Sequence, residues 1–433
     1  MFSQQDHMVR QLLPVSALLL GSALLLFAGG MNSLILPIRG AQEGFSASAL
    51  GLLGTGWALG YVAGCFYTPR LVGKVGHVRA FSVMSGIAAV AVLLSLLLLT
   101  PWTWIPLRAM SGFCFAGAAM IVESWLSERA EPSTRGRIFG LYTMVNLGAS
   151  TAGQLVLTMG DTTGFMFFVL PAIFYCLALM PTAMSSKTVP KPLVSVRLDL
   201  MALWRNSPVA VIGVLCVGVS NSAFGTLSAV YADGIGLALT TVALFASLPV
   251  LAGAVSQIPI GWLSDRLDRR AVLIGVAVLA LAVDTIFIVL SPETRMLNLV
   301  LASLFGAAIY AMYPIIIAHA NDHAAADQAI QVSGGLLMLY GLGSILGPLL
   351  AGFGMETLGG TGLFMTSAGA HVLLILFSGL RILLRAPVAE ADKSSFVPAP
   401  AGRATTPETA ALASAESDEV DEDEEETPSP DAG

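Results

Sequence analysis

Charge is scarce in this chain of 433 residues. Asp, Glu, Lys and Arg together make up 11% of it, less than half of the roughly 25% usual in soluble domains. Apolar residues reach 55% before the 44 glycines are added, and the mean hydropathy is +0.79. A soluble chain of this composition has too few polar groups to cover its own surface. That excludes an ordinary cytosolic enzyme, a nucleic-acid-binding protein and a secreted disulfide scaffold. Cysteine is scarce as well: Cys65, Cys114, Cys176 and Cys216 all lie inside apolar stretches. Their spacing fits no metal or redox motif, so they read as small packing residues. The composition is that of a polytopic membrane protein, with the lipid bilayer as its first partner and no role for nucleic acid.

The charge that is present is unevenly placed. Residues 1–385 carry 19 Lys and Arg against 15 Asp and Glu, while residues 386–433 carry 2 against 13. The overall charge of −7 therefore belongs to the tail. That tail is rich in Ala, Pro, Ser and Thr and ends in a run of acids; it has too little apolar surface to fold alone and reads as disordered and solvated.

Stretches free of Lys, Arg, Asp and Glu run over 11–38, 44–69, 80–107, 138–160, 162–186, 206–232, 234–264, 296–321, 328–355 and 357–380. Each is long enough for the roughly 20 helical residues that cross a bilayer core. Two further spans, near 102–125 and 271–291, are interrupted by Arg108 and Asp284. This predicts an all-α protein of twelve transmembrane helices. The first span is too long for a signal-peptide core and reads as a retained helix. With both termini on one side, that side collects 18 Lys and Arg and the other only Arg39 and Arg295, so both termini are expected in the cytoplasm.

The connection 184–207 is the longest between spans. It divides the chain into a first six-helix bundle, 1–183, and a second, 208–385, followed by the tail 386–433. Its stretch from Val196 to Arg205 reads as a short interfacial helix. The two bundles echo one another. Gly29, Asn32 and Ser33 match Gly218, Asn221 and Ser222 at an offset of 189, as Gly117-Ala118-Ala119 match Gly306-Ala307-Ala308. Gly140, Leu141, Leu147 and Gly148 match Gly335, Leu336, Leu342 and Gly343 at an offset of 195. Three matches in register point to a duplicated unit, the plan of secondary transporters that place a site between two repeats.

Particular motifs carry a resemblance. Arg70-Leu-Val-Gly-Lys-Val-Gly76-His77-Val-Arg79 lies between spans two and three, and Gly261-Trp-Leu-Ser-Asp265-Arg266-Leu-Asp268-Arg269-Arg270 between spans eight and nine. With Arg108-Ala-Met-Ser-Gly112, these resemble the signature loops and the fourth-helix motif of the major facilitator superfamily. Val122-Glu123-Ser124-Trp125, Glu128 with Arg135-Gly136-Arg137, His319-Ala-Asn-Asp322-His323 and Gly347-Pro348 resemble its YcaD-like subfamily in particular. The resemblance covers about 10–385. It implies two pseudo-symmetric six-helix bundles, a non-enzymatic carrier of a small-molecule substrate, with protons as a possible coupling ion, working as a monomer in the cell (inner) membrane. One departure is that Pro69 replaces the acid expected in the first signature loop, which weakens that half of the gate.

Candidate functional residues follow. Arg108 lies about 9 Å below the outer end of span four, where a charge has to face the bundle interior or water. Glu123, fifteen residues on and about 22 Å along the axis, cannot pair with it, though both can line one cavity. Proton coupling or substrate binding is the functional reading. The structural alternatives are carbonyl bonding for Arg108 and an ion pair with Arg70 or Arg135 for Glu123. Asn32, Asn221, Gln154, Gln257, Tyr310 and Tyr313 are further cavity candidates, with interhelical hydrogen bonding as the alternative.

A cytoplasmic gate is expected from Glu128 and Arg135 with Arg70 and Arg79. In the second half, Asp265, Arg266 and Arg270 are expected to pair with Asp322 or Asp327. Gly56, Gly60, Gly64 and Gly112, and Gly343, Gly347 and Pro348, form small-residue stripes read as helix packing or as surfaces on which the halves rock. Asp284 has no account at this level. His319, Asp322 and His323 are too weak a pattern for a metal site, and no cofactor is expected. Proton-coupled export is the reading favoured here; uptake and a transporter-like sensor or assembly partner stay open.

Overall fold

Inside a bilayer every backbone N–H and C=O has to find its partner within the protein, and this chain meets that demand with helix throughout. The computed structural model describes residues 2–129, 135–184, 200–324 and 329–386, then 388–389, 393–394, 396–399 and 406; side chains at 2–15, 129, 135–137, 182–184 and 329–330 are outside the description. In chain order the helices are α1 (Phe2–Gln42), α2 (Ala47–Val75), α3 (His77–Leu97), α4 (Pro101–Arg129), α5 (Arg135–Val156) and α6 (Met166–Met184). After the short α7 (Leu200–Asn206) come α8 (Pro208–Gly234), α9 (Leu239–Arg266), α10 (Arg269–Leu290), α11 (Arg295–Asn321), α12 (Ala329–Leu358) and α13 (Thr361–Leu384). Ten are long and apolar enough to cross a membrane, and α6 holds a shorter apolar stretch, Met166–Pro181. The twelve expected spans correspond in position to the twelve long helices; α7 is the thirteenth. It exposes Met201 and Trp204 and buries Leu203, as an interfacial helix does.

Local chemistry sets the boundaries. Ser46 caps α2 by accepting from the Ala49 N–H at 3.2 Å, and Ser207 caps α8 ahead of Pro208 in the first turn. The two signature loops turn differently. Between α2 and α3 a single residue, Gly76, turns the chain at φ +83°, a conformation that side chains resist. Between α9 and α10, Asp268 caps the new helix by accepting from the Arg270 N–H at 2.9 Å. Burial alone would raise the Asp268 carboxyl, but the hydrogen bonds and charge of Arg270 outweigh it and hold the group below the usual carboxylate range.

The duplication read in the sequence is a duplication of packing. In the first half α1 packs on α5 and α6, α2 on α4, and α3 on α4 and α6. In the second, α8 packs on α12 and α13, α9 on α11, and α10 on α11 and α13. The repeated small residues permit the closest of these approaches. A Cβ at Gly30 would meet the Ser150 carbonyl of α5, and one at Gly218 the Tyr340 carbonyl of α12.

The glycine stripes belong to this packing within each half. Gly56, Gly60 and Gly64 face the carbonyls of Ile105, Ala109 and Phe113 on α4, and Gly112 faces the Trp57 carbonyl on α2. Gly343 and Gly347 face the Leu215 and Val219 carbonyls of α8. These glycines therefore face their own half rather than the other, while Pro348 lies on the surface between the halves. The halves meet where Gly51 and Gly54 lie against Pro348, and Gly352 against the Ala47 carbonyl. Two hydrogen bonds cross there, Thr55 Oγ1 to the Ile345 carbonyl at 2.9 Å and the Ser48 N–H to Glu356 at 3.2 Å. All of this lies in the parts of α2 and α12 remote from the signature loops, so the halves are closed at the end opposite the basic loops.

The second half also resolves Asp284. It faces inward from α10 to α13, where Ser367 Oγ donates to Oδ1 at 2.5 Å and His371 Nδ1 lies 2.7 Å from Oδ2. Both members of the pair are 0% exposed. Phe287 and Phe364 stack beside them at 4.1 Å between centroids, and Phe305 stands edge-on to His371 at 5.9 Å. A lone carboxyl in mid-membrane is thus converted into interhelical glue.

Two stability predictions follow from this packing. Gly60→Val drives a side chain into the Ala109 carbonyl and lowers stability by about 1–3 kcal/mol, whereas Gly86→Ala, with open space around its Cβ position, leaves the detergent-solubilised melting temperature unchanged. Asp284→Leu or His371→Leu alone destabilises by about 3–5 kcal/mol, and the double variant recovers most of the loss because it strands no buried polar group. Thermal unfolding of the five variants checks both.

Candidate functional site

Helix α4 presents the two charges found within the first bundle. Glu123 is 1% exposed and Arg108 6%. Four elements besides α1 lie around Glu123, α12 reaching it only through Tyr61 of α2. From α5, the Tyr142 hydroxyl donates to Oε1 at 3.1 Å; beside it Ser22 of α1 donates to Asn146 Oδ1 at 2.8 Å. From α2, Tyr61 and Cys65 lie close enough to interact electrostatically with the carboxylate. From α12, in the other half, Tyr340 reaches the same Tyr61 and stands edge-on to Tyr313 of α11 at 5.1 Å. The fourth element lies beyond α13: Thr406, 0% exposed, donates its hydroxyl to Oε2. Both carboxylate oxygens therefore accept hydrogen bonds.

Arg108 sits apart, as the helical spacing demands. Its charge acts on Tyr175 of α6, whose hydroxyl also pairs with Asn32 of α1. Asn32 Oδ1 has no hydrogen-bond partner, and neither has Asn221 Oδ1 on the repeat-related α8 or the Tyr313 hydroxyl. All three are buried, where an atom without a partner among the described residues is costly.

The remaining cavity candidates divide differently. Gln257 Nε2 donates to the Tyr310 carbonyl at 3.3 Å, and the Tyr310 side chain covers Gly253. Both serve the contact of α9 with α11. Gln154 lies half-buried two residues from the end of α5.

At the basic end, ion pairing centres on a residue outside the expected gate set. Arg269, 1% exposed, donates from Nε to Asp322 at 2.7 Å and from Nη1 to Asp265 at 3.1 Å. The expected partners of Asp322, Arg266 and Arg270, are engaged elsewhere, which corrects that pairing. Arg266 lies over the Trp262 ring at 4.0 Å. Arg270 is drawn to Asp268 at 2.8 Å and donates to the Arg381 and Arg385 carbonyls at the end of α13. The reason is helical register: capping by Asp268 fixes the first turn of α10, so Arg269 faces α11 and Arg270 faces α13. Asp327 lies outside the described residues.

In the first half Arg70 lies over Tyr67 at 5.8 Å, and Arg79 is exposed. Glu128 is near His77, which stacks on Trp125 at 5.9 Å. The Arg135 side chain lies outside the described residues. Sequence reasoning missed Tyr61, Tyr142, Tyr175, Tyr340, Arg269 and His371. The tyrosines had one available signal: all eight in the chain lie inside long apolar stretches, where a hydroxyl needs a partner.

Comparison with known proteins agrees with this architecture. The model of the Major Facilitator Superfamily matches residues 18–334 and 210–414. An MFS-type transporter named YcaD from Escherichia fergusonii is 25% identical over 372 residues, covering 84% of this chain and 94% of its own. A YcaD from Salmonella typhi is 24% identical with the same coverage. Among solved structures, the nucleoside transporter NupG superposes with a TM-score of 0.68 at 14% identity, over 85% of this chain and 98% of that one. A bacterial homologue of the human lysosomal transporter Spinster, in an inward-facing and occupied conformation, superposes with 0.68 at 15% identity, over 89% and 98%. The structural likenesses speak to the fold alone. With two packed repeats, their signature loops and a family match along nearly the whole chain, this protein belongs to the Major Facilitator Superfamily, a family of membrane transporters.

Proposed function

We propose that the protein is a proton-coupled secondary transporter that exports a small molecule by alternating access, as a monomer in the cell (inner) membrane. The observation that carries this reading is Glu123, a buried carboxylate hydrogen-bonded by Tyr142 and close to Tyr61, which Tyr340 of the other half also approaches. The excess of Lys and Arg at the basic end supports a cytoplasmic location for it and for both termini. Closure between α2 and α12 at the far end then corresponds to an inward-facing state. In that state Glu123 takes its hydrogen bonds as an acceptor, the form that has released a proton. When the halves rock, Tyr340 moves relative to Tyr142 and the cage around the carboxylate changes. A carboxylate that loses donors while remaining out of water favours protonation, so proton loading and the exchange of states become coupled.

Arg108 and the paired Asn32 and Asn221 suit the solute. The Asn oxygens and the Tyr313 hydroxyl offer hydrogen bonds to a neutral polar molecule, and Arg108, set against Tyr175, provides a fixed positive charge for an electron-rich group. Arg108 is thereby kept about four helical turns from the proton site, so the two ligands communicate through the rocking of the halves.

The first test compares small molecules inside and outside cells expressing the wild type or Arg108→Ala, with and without a protonophore. A compound exported by the wild type alone, and retained once the protonophore is added, is the expected result; accumulation inside instead would reverse the direction, and identical profiles would remove the transport reading of Arg108. With that compound in hand, Glu123→Gln is expected to slow gradient-driven transport about a hundredfold while leaving solute exchange at equal pH intact. Driven transport at the wild-type rate would sink the coupling role.

A further inference from the structure

Beyond α13 the chain returns to the basic end of the molecule. Lys393 Nζ donates to the carbonyls of Asp265 at 3.0 Å and Leu267 at 2.7 Å. These close α9, and carbonyls at a helix C-terminus favour a cation. Ser394 donates to Asp322 Oδ1 from its N–H at 2.9 Å and from its hydroxyl at 2.8 Å, and its own carbonyl accepts from Arg269. The Phe396 ring lies over Gly261, where a Cβ would collide with it, and its N–H donates to the Asp265 carboxylate. These anchors are all in the second half. Ten residues further on, Thr406 is buried in the first half with its hydroxyl on Glu123. Lys393, Ser394, Phe396 and Thr406 are thus held by the helices; most of the tail 386–433 lies outside the described residues.

The site is specific to one half. Where the second signature loop has Asp265, the first has Pro69, and four residues earlier Cys65 stands where the second has Gly261. Pro69 offers no carboxylate to an incoming N–H, and Cys65 has the Cβ that an aromatic ring at this position would meet. The substitutions that distinguish the two loops are therefore the ones that admit Phe396 and its neighbours to the second alone.

We propose that the basic mouth of the cavity is a binding site for the chain's own C-terminal strap, anchored through Lys393, Ser394, Phe396 and Thr406, and that the seated strap holds the transporter inward-facing and idle. The proposal rests on the inward-facing reading given above. Two features make the strap inhibitory. It is fastened to both halves at the end that has to close, so closure requires its expulsion. Its last anchor also covers the Glu123 oxygen that a proton has to reach. Being tethered, the strap acts at an effective concentration of about millimolar, so modest contacts suffice to seat it and remain easy to release.

Cys65, partly exposed and next to Glu123, reports on the seat. Cys114, Cys176 and Cys216 are replaced by alanine, and a membrane-impermeant maleimide is applied to inside-out vesicles. A strap seated nine-tenths of the time slows labelling about tenfold. A chain ending at Arg385 is therefore expected to label about ten times faster than the full chain. The full-length chain carrying Lys393→Met, Ser394→Ala, Phe396→Ala and Thr406→Val is expected to match the shortened one, and it carries the test if the shortened chain does not fold. A synthetic peptide of residues 388–410, supplied at about millimolar concentration, should slow labelling of the shortened chain again, and a scrambled peptide should not. Equal rates with and without the strap, whatever their value, overturn the proposal. Labelling confined to right-side-out vesicles would instead overturn the inward-facing reading on which it rests.

Discussion

A bilayer offers no hydrogen bonds, and that deficiency governs this molecule at every level. It demands helices, and it leaves helix association to close packing and to the few polar groups that can be satisfied between helices. The repeated glycines answer the first requirement by letting α2 reach the carbonyls of α4, and α12 those of α8. The polar residues answer the second in two distinct ways. Asp284 meets His371 and Ser367 within one half and is sealed there by phenylalanines. Glu123 shares a cluster with tyrosines from both halves. A group satisfied inside a rigid half contributes to stability in every state of the protein. A group whose surroundings include the other half is satisfied differently as the halves move, and that difference is what transport can use.

Much of the fold is legible in the sequence because absence of charge is a strong signal over twenty residues. The spans, the interfacial character of α7 and the duplicated packing all follow from where charges and glycines fall. Arg108 and Glu123 are legible as sites for the same reason: a charge inside a span is rare and has to be accommodated. Periodicity fails where every face of a helix is apolar, because it cannot say which neighbour a side chain meets. That is why the tyrosines around Glu123 escaped notice, and why Gln257 and Tyr310 proved to join α9 to α11. Arg269 was missed for a related reason. Three arginines stand within five residues, and only the capping of α10 by Asp268 decides which of them faces α11. The seating of the tail was illegible from composition, since its anchors are donors whose acceptors lie on other elements.

The two halves share a packing plan but have diverged in the chemistry at their ends. The first carries the buried cavity charges, Arg108 and Glu123, and its signature loop turns on Gly76 with Pro69 in place of an acid. The second carries a closed ionic hub in which Arg269 joins Asp265 and Asp322, and Asp268 fixes the turn. That hub ties α9, α10 and α11 together within one half. Its carboxylates retain acceptor capacity after pairing with Arg269, and Ser394 and Phe396 use it. An acid at position 69 would have offered a comparable place in the first half.

This divergence makes the two halves unequal at the basic end. If both halves were alike at the basic end, closure there would be governed by symmetric pairs that form and break together, each contributing little when hydrated. With the ionic hub on one side and the cavity carboxylate on the other, a segment bound to the hub can reach across to Glu123. The conformational equilibrium then depends on a ligand that binds one state better than the other, the sole way in which any ligand shifts such an equilibrium. Here the ligand is part of the chain, and its affinity is adjusted by whatever competes for Asp322, Asp265 or Glu123. A proton on Glu123 removes the acceptor that Thr406 uses at that oxygen or forces it to donate. On the proposed reading, proton loading and release of the strap are thereby linked through a single carboxylate, and the coupling site is also the switch.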